Sequence, residues 1–387
     1  MSQIVSFGLD TINSLEIFLN EENPQSIFLV TGKKSFTKCG AEDKLLPILK
    51  DYNYTRFYDF EENPKIEDVE KGVDVFNNHN CDLIIAVGGG SAIDIAKLIL
   101  FFNNKSKPFT DFFKSKLNKQ DKYPLLVMPT TAGSGSEATH FAVVYVNNIK
   151  FSIADYNLLP ARVWIDHSFL KSQSRSQIIY SGLDAFCQGI ESFWCVNSNA
   201  ESLIYSTKAI SYSWNNLIKA VQGEDVFDEL AKASYYAGKA INITKTTGPH
   251  ALSYGFTTEY GIPHGHAVAL FLPFFIDFHK NIERDSNNDS RGHLFVLSQL
   301  KKISTILSVD YKNLEVEIIR FFEKLEIEIN FNKLSIDKSG FMNAVKNCNM
   351  DRLNNNPRVL NQEDLHKIYY FNLNNRVVND KNFKTYI

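Results

Sequence analysis

Leu83-Ile84-Ile85-Ala86-Val87-Gly88-Gly89-Gly90-Ser91 is the stretch on which the fold turns. Five apolar residues without alternation read as a strand buried on both faces, as in a parallel sheet. Three glycines end the run, and Ala92–Phe102 then carries helical spacing. Ser91 is placed to cap that helix, with Asp94 at the third helical position of a capping box. Glycine lets a backbone approach an anion closely, and a helix N-terminus offers unsatisfied N–H groups at a positive dipole end. Gly88, Gly89, Gly90, Ser91 and Asp94 are therefore candidates to cradle a phosphate. A plain glycine turn is the competing reading. Asp94, Lys97 and the glycine triplet interrupt the apolar run from Leu83 to Phe102, which argues against a membrane span.

Two further runs have the same texture. Ile27-Phe28-Leu29-Val30-Thr31 ends at Gly32, and Leu125-Leu126-Val127-Met128 leads into Pro129-Thr130-Thr131-Ala132-Gly133-Ser134-Gly135-Ser136-Glu137. Small polar loops at neighbouring strand ends are where α/β sheets bind ligands. Together they predict a dinucleotide site that uses Thr130, Thr131 and Ser134, with Lys150 as a further cation. The turn Gly32-Lys33-Lys34-Ser35 has no acidic residue to bond a ribose 2′-hydroxyl, and its lysines suit a 2′-phosphate. The expected cofactor is NADP or NAD, with NADPH preferred; a solvated turn is the competing reading of the lysines. From about residue 168 the pattern changes to longer helix-period segments, such as Ser202–Val221 and Val316–Leu325. The expected architecture is an α/β dinucleotide-binding domain over residues 1–167 and an all-α metal- and substrate-binding domain over 168–387.

Composition agrees with a soluble globular chain. Of 387 residues, 44% are hydrophobic and 22% charged, enough for two domains with sizeable cores. A net charge of −3 gives no bulk attraction to nucleic acid or to an anionic membrane, so neither is expected as a partner. The five cysteines form no CxxC pair, and the first residues lack the basic and apolar regions of a signal peptide. A reduced, cytoplasmic protein is the expectation. Cys187 and Cys195 have no neighbouring base in sequence and are not expected to be nucleophiles.

The second half holds the candidate chemistry. Three of the nine histidines fall in Gly248-Pro249-His250-Ala251 and Gly261-Ile262-Pro263-His264-Gly265-His266, two of them beside prolines that fix the backbone. Upstream, Asp184 and Gln188 stand one helical turn apart. Such residues suit a divalent metal, Fe²⁺ or Zn²⁺, acting as a Lewis acid. His266 reads equally as a proton relay or as a structural histidine. Glu191 shares the Asp184 helix face and is expected to form a structural salt bridge. His167, His279, His293 and His366 have polar neighbours and are expected at the surface. Phe271–Phe278 reads as core.

These residues carry a family likeness. The blocks Gly88–Lys97, Pro129–Thr139, Gly182–Glu191, Pro249–His264 and Asn356-Pro357-Arg358, in this order, resemble the iron-containing, group III alcohol dehydrogenases over nearly the whole chain. The resemblance implies the two-domain dehydroquinate synthase-like fold, NAD(P)-dependent interconversion of alcohols with aldehydes or ketones, and a homodimer or larger assembly. It implies Asp184, His250 and His264 as metal ligands. Gln188 departs from the pattern, which places a histidine there. An amide oxygen is a weaker donor than imidazole, so Gln188 or water would complete the shell. Tyr254 departs as well, where many members carry a further histidine.

Within the family, Thr139–Tyr145, Gln188 with Glu191–Trp194, Ala240–Thr247 and Pro263–Leu270 resemble the phosphonoacetaldehyde reductase branch. That implies reduction of phosphonoacetaldehyde to 2-hydroxyethylphosphonate. An anionic substrate needs a cationic cradle, and Lys245, Thr246 and Thr247, just before His250, are the candidates, with His140. Lys245 and His266 are the expected catalytic side chains; Arg162, Arg352 and Arg358 are weaker candidates for the anion. The competing functions are reduction of neutral short-chain aldehydes or of a carboxylated carbonyl of the maleylacetate type, a lyase or cyclase using NAD without net redox change, and a metal-poor nucleotide-binding protein.

Overall fold

The apolar runs form the middle of a parallel sheet in a computed structural model that describes residues 3–103, 123–147, 149–346, 348 and 350–374. The chain divides into two compact units. One comprises Met1–Gln177 with Val226–Gly238, the other Ile178–Asp225 with Lys239–Ile387.

In the first unit the strands are β1 (Ile4–Phe7), β2 (Ile27–Thr31), β3 (Tyr54–Phe57), β4 (Leu83–Gly88), β5 (Leu125–Pro129), β6 (Phe141–Val146), β7 (Ile149–Ala154) and β8 (Arg162–Ile165). Six of them make an all-parallel sheet in the order β1-β8-β5-β4-β2-β3, and β6 and β7 pair as an antiparallel hairpin. The helices are α1 (Ser14–Glu22), α2 (Ser35–Lys38), α3 (Ala41–Leu49), α4 (Ile66–Asn78) and α5 (Gly90–Phe102).

Successive residues of the central strands feed two different cores. Phe28, Val30, Ile84, Ala86, Leu125 and Val127 pack with α4 and α5. Ile27, Leu29, Leu83, Ile85, Val87, Leu126 and Met128 pack with α1, α2 and α3. This two-sided burial is the reason the runs lack a polar alternation. In register, Thr31 lies opposite Val87 and Gly88 opposite Pro129. The carboxyl ends of β2, β4 and β5 are thus level, and their three loops leave from one edge.

The second unit is helical: α6 (Arg175–Trp194), α7 (Ala200–Val221), α8 (Phe227–Thr244, whose first residues belong to the other unit), α9 (Gly248–Tyr260), α10 (His264–Ala269), α11 (Leu272–Lys280), α12 (His293–Leu307), α13 (Leu314–Lys324), α14 (Lys338–Lys346), α15 (Met350–Leu353) and α16 (Gln362–Asn374). α7 starts two residues before the apolar period does, because Asn199 and Ser202 close a capping box there. Phe186, Trp194, Phe256, Phe271, Phe275, Phe322 and Phe331 are fully buried, so Phe271–Phe278 is core as expected. His279 is a correction. It is 0% exposed, packed edge-on against Trp194 and Phe275, because it continues the apolar face of α11. Among the described residues no helix is long and apolar enough to cross a membrane.

Candidate metal centre and dinucleotide loops

Asp184, Gln188 and Glu191 project from one face of α6 at helical spacing, and all three are buried. His250 sits in the first turn of α9, where Pro249 is tolerated because the first helical N–H groups have no intrahelical partner. Gly261, at φ 65°, ends α9, and Pro263 precedes His264, the first residue of α10. One helix and a reversal therefore account for the separation of the two histidines, whose rings end 5.4 Å apart. Gly265 has a steric role that sequence reading missed. A Cβ there would lie 1.8 Å from the Tyr180 carbonyl oxygen, so only glycine lets α10 approach α6 closely enough to bring His264 to Asp184.

One ligand atom each from Asp184, His250 and His264 lie within 4.8 Å of one another. The His250 Nε2 is 3.2 Å from Asp184 Oδ1, and the Gln188 amide donates to the same oxygen at 3.1 Å. The other His250 nitrogen, Nδ1, is held by Glu191 Oε1. Glu191 Oε2 accepts the Thr247 N–H at 2.7 Å and the Thr247 hydroxyl at 3.0 Å. Trp194 Nε1 donates to that hydroxyl at 3.0 Å. Glu191 is thus no ordinary salt-bridge partner: it fixes the imidazole so that Nε2 faces Asp184. A carboxylate behind a ligating histidine sets the tautomer and raises the ligand's basicity. Its signal in sequence was the seven-residue step from Asp184; the link to His250 is invisible there.

Charge reinforces this geometry. Burial opposes a charged His250, yet Glu191 and Asp184 carry its pKa up to about 9. Burial also opposes the Asp184 carboxylate, but the His250 hydrogen bond and the nearby His264 hold it below the usual range. The site selects for positive charge, and its donors are oxygen and imidazole nitrogen, which fit a divalent metal such as Fe²⁺ or Zn²⁺.

Other expected residues fall elsewhere. Lys245 is exposed and in the left-handed region, φ 60°, where the turn after α8 carries it outward. Thr244 donates to the Ala240 and Lys245 carbonyls and Thr247 to Glu191, so these two hydroxyls do not converge on a ligand. Thr246 is buried, its carbonyl accepting the Asn355 amide at 3.0 Å. His266 is buried, its Nε2 2.6 Å from the Glu328 carbonyl and its ring stacked near Tyr180, which favours its structural reading. Arg358 donates to the Phe278 carbonyl at 2.5 Å and lies over the Phe278 ring. In the first unit, His140 stacks on Tyr156 at 4.3 Å and Arg162 lies over Phe18. All five cysteines are free; burial pushes Cys187 well above the ordinary thiol value and Cys195 up to about 12.

The loops at the sheet edge meet as expected, by different means. A Cβ on Gly89 would lie 3.1 Å from the Thr131 hydroxyl, one on Gly90 2.8 Å from the Ser134 hydroxyl, and one on Gly88 3.7 Å from the Gly32 nitrogen. Gly32, Gly88–Gly90, Thr131 and Ser134 thus come together at one edge, with glycine backbone unshielded by Cβ atoms beside the N-terminus of α5, which fits a dinucleotide phosphate. Lys33, Lys34 and Ser35 are exposed beside it, and Thr130 is buried. Gly89, not Ser91, is the N-cap of α5, and the Ser91 hydroxyl instead accepts the Asn63 N–H at 3.3 Å. The capping box is therefore corrected, because the glycine backbone enters the helix two positions earlier. Asp94 accepts the Ser136 hydroxyl at 2.6 Å and the Val143 N–H at 3.0 Å, bracing the second loop and hairpin, with Lys150 acting on it electrostatically. Lys97, unassigned from sequence, is fully buried and donates to the Ser136, Thr139 and Phe141 carbonyls at 2.6, 2.8 and 3.0 Å.

Known proteins agree with this arrangement. Residues 2–167 match the iron-containing alcohol dehydrogenase family model, and residues 178–373 the model of the family's C-terminal part. The NADPH-dependent butanol dehydrogenase of Clostridium saccharobutylicum is 26% identical over 373 residues, 92% of this chain and 93% of that protein. The phosphonoacetaldehyde reductase of Streptomyces viridochromogenes is 26% identical over 300 residues, 74% of this chain and 75% of that protein. Aldehyde-alcohol dehydrogenase 2 of Entamoeba histolytica is 28% identical over 376 residues, but the match spans only 43% of that longer protein. The sulfoacetaldehyde reductase of Bifidobacterium kashiwanohense, solved with NAD⁺, shares the fold with a TM-score of 0.85 over 97% of this chain and 98% of that one, at 23% identity. With family models matched over both halves, the chain belongs to the iron-containing alcohol dehydrogenases and is an NAD(P)- and metal-dependent oxidoreductase of alcohols and aldehydes.

Proposed function

We propose that this chain reduces a short aldehyde bearing an oxyanion, phosphonoacetaldehyde to 2-hydroxyethylphosphonate, with NADPH as the preferred reductant. The reading assigns the dinucleotide to residues 1–167 and metal and substrate to 168–387, in a cytoplasmic homodimer serving phosphonate biosynthesis. The observation that carries the reductase chemistry is the cluster of Asp184, His250 and His264 with Glu191 behind it. The phosphonate is supported by the Streptomyces viridochromogenes relative, and NADPH by the acid-free turn Gly32-Lys33-Lys34 and the butanol dehydrogenase relative.

When bound, a divalent metal polarises a carbonyl and a nicotinamide supplies hydride. Asp184, His250 and His264 hold the metal, and Gln188 stands beside Asp184 as an oxygen donor or a hydrogen-bond partner of the shell. Glu191 keeps the proton of His250 on Nδ1 and so leaves Nε2 as the ligand atom. Thr247 and Trp194 fix Glu191 in turn. With His266 bonded to Glu328, the proton for the product alkoxide comes from solvent in this scheme.

NADPH oxidation, followed by its absorbance, tests this with phosphonoacetaldehyde and butanal, each with and without added Fe²⁺ or Zn²⁺. The expected result is metal-dependent turnover with a much higher kcat/KM for the phosphonate. Turnover of butanal alone assigns the chain to neutral aldehydes, the second reading that the long match to the butanol dehydrogenase favours.

A further inference from the structure

Lys245 is exposed, so the cation that recognises an oxyanion must be sought nearer the metal centre. Tyr254 stands one helical turn after His250 on α9, so the two share a face. Its ring stacks on the His264 imidazole, centroids 5.9 Å apart and planes within 18°. The Arg352 guanidinium donates a hydrogen bond to the Tyr254 hydroxyl. Arg352, Glu191 and Asp184 all act on that hydroxyl, so Tyr254 is the side chain that links the arginine to the carboxylates of the metal centre.

Arg352 is partly buried on α15, which packs against α9. The residues after it are stitched to the turn that leads into His250. Asn355 donates to the Thr246 carbonyl at 3.0 Å, accepts the Asn197 amide at 3.0 Å, and its carbonyl accepts the Val196 N–H at 3.1 Å. The guanidinium is therefore carried on a backbone fixed relative to the metal ligands. Charge accounting points the same way. A divalent metal balances Asp184 and Glu191, and Arg352 leaves one positive charge, which an oxyanion on the substrate would neutralise. A guanidinium also offers a planar fork that matches phosphonate oxygens, which an exposed lysine ammonium does not.

We propose that Arg352 holds the oxyanion end of the aldehyde, with Tyr254 positioning the guanidinium beside the metal centre. The inference rests on the oxyanion-aldehyde reading above. Metal-loaded wild type, Arg352→Ala and Arg352→Lys are compared with phosphonoacetaldehyde and butanal as substrates. Methylphosphonate, which has no carbonyl, serves as a competitive inhibitor of butanal reduction, and thermal melts and metal content verify folding. In Arg352→Ala, the ratio of kcat/KM for the phosphonate over butanal falls roughly 100-fold and methylphosphonate inhibition is lost. Arg352→Lys recovers part of both, as a point charge without the fork.

Equal losses on both aldehydes, with inhibition retained, overturn the inference and leave Arg352 a packing role. Wild type that is inhibited by methylphosphonate through Arg352 but does not reduce phosphonoacetaldehyde keeps the anion site and discards that substrate. Wild type that neither reduces the phosphonate nor is inhibited by methylphosphonate overturns both.

Discussion

A single carboxylate governs how well this metal centre is made. Glu191 touches no position that a metal would occupy; it acts through His250 Nδ1 and is anchored by the Thr247 N–H and hydroxyl. Glu191→Gln keeps an oxygen for Thr247 but removes the charge that makes His250 a strong ligand. Losing such a partner lowers metal affinity about 10–100-fold. Competition for Zn²⁺ against a chromophoric chelator should show that loss, while Gln188→His, which restores an imidazole donor, should shift the affinity the other way. Unchanged Zn²⁺ affinity in Glu191→Gln would leave Glu191 as a structural salt bridge after all. Asp184 and the histidines were legible because ligand residues come with strict spacing and proline-fixed turns. The ion-pair role expected of Glu191 is present, but its partner His250 was not legible, because it lies 59 positions away, a distance that only the folded α6–α9 contact closes.

At the scale of elements, the buried strands were read almost to the residue. β2 is Ile27–Thr31 as expected, and β4 and β5 each extend one residue beyond the apolar run, to Gly88 and Pro129. Continuous apolar runs admit few alternatives once glycine bounds them. The β6–β7 hairpin escaped notice because Phe141–Val146 is apolar throughout and shows no alternation in sequence, although its burial alternates; β6 receives Asp94 and Lys97 from α5. Lys97 was legible only as a charge that, with Asp94, interrupts an apolar helix. Burial draws its pKa down to about 8, against the opposing pull of Asp94 and Glu137. Its ammonium reaches the carbonyls and hydroxyls of Ser136 and Thr139 as well as the Phe141 carbonyl, joining the second small-polar loop to α5. Lys97→Met fits the same apolar path but leaves those oxygens without a buried donor, at a cost on the order of 1–3 kcal/mol for each group left unsatisfied. The loop should loosen before the unit unfolds. The expected outcome is a raised KM for NADPH with the aldehyde KM and the metal content unaltered; a variant whose only defect is a lower Tm would assign Lys97 to stability alone.

For the whole molecule, the fully buried His279 couples stability to acid. Burial first, and then the Arg358 charge, lower its pKa from 6.5 to about 3, while the Asn356 side chain, as an acceptor facing the ring, works in the opposite direction. Above pH 6.5 the ring is neutral in folded and unfolded chains alike and contributes no pH dependence. Between pH 6.5 and about 3 the unfolded chain takes up a proton that the folded chain refuses. Stability therefore falls with falling pH, by at most about 1.4 kcal/mol per unit, and levels off for this group once the folded ring is also protonated. The neighbourhood gives this loss a functional reach: His279 packs on Trp194, which bonds Thr247, which bonds Glu191 behind His250. Unfolding free energies of metal-free wild type and His279→Gln, taken from urea titrations across this range, isolate the term, because every other titrating group is common to both chains. The glutamine variant retains a donor for Asn356 and carries no proton, so its stability should decline less steeply as the solution is acidified. Parallel curves would mean that water or a local opening reaches the ring before the core unfolds. Diverging curves make this histidine the group through which mild acid loosens the helical unit and, with it, the hold on the metal.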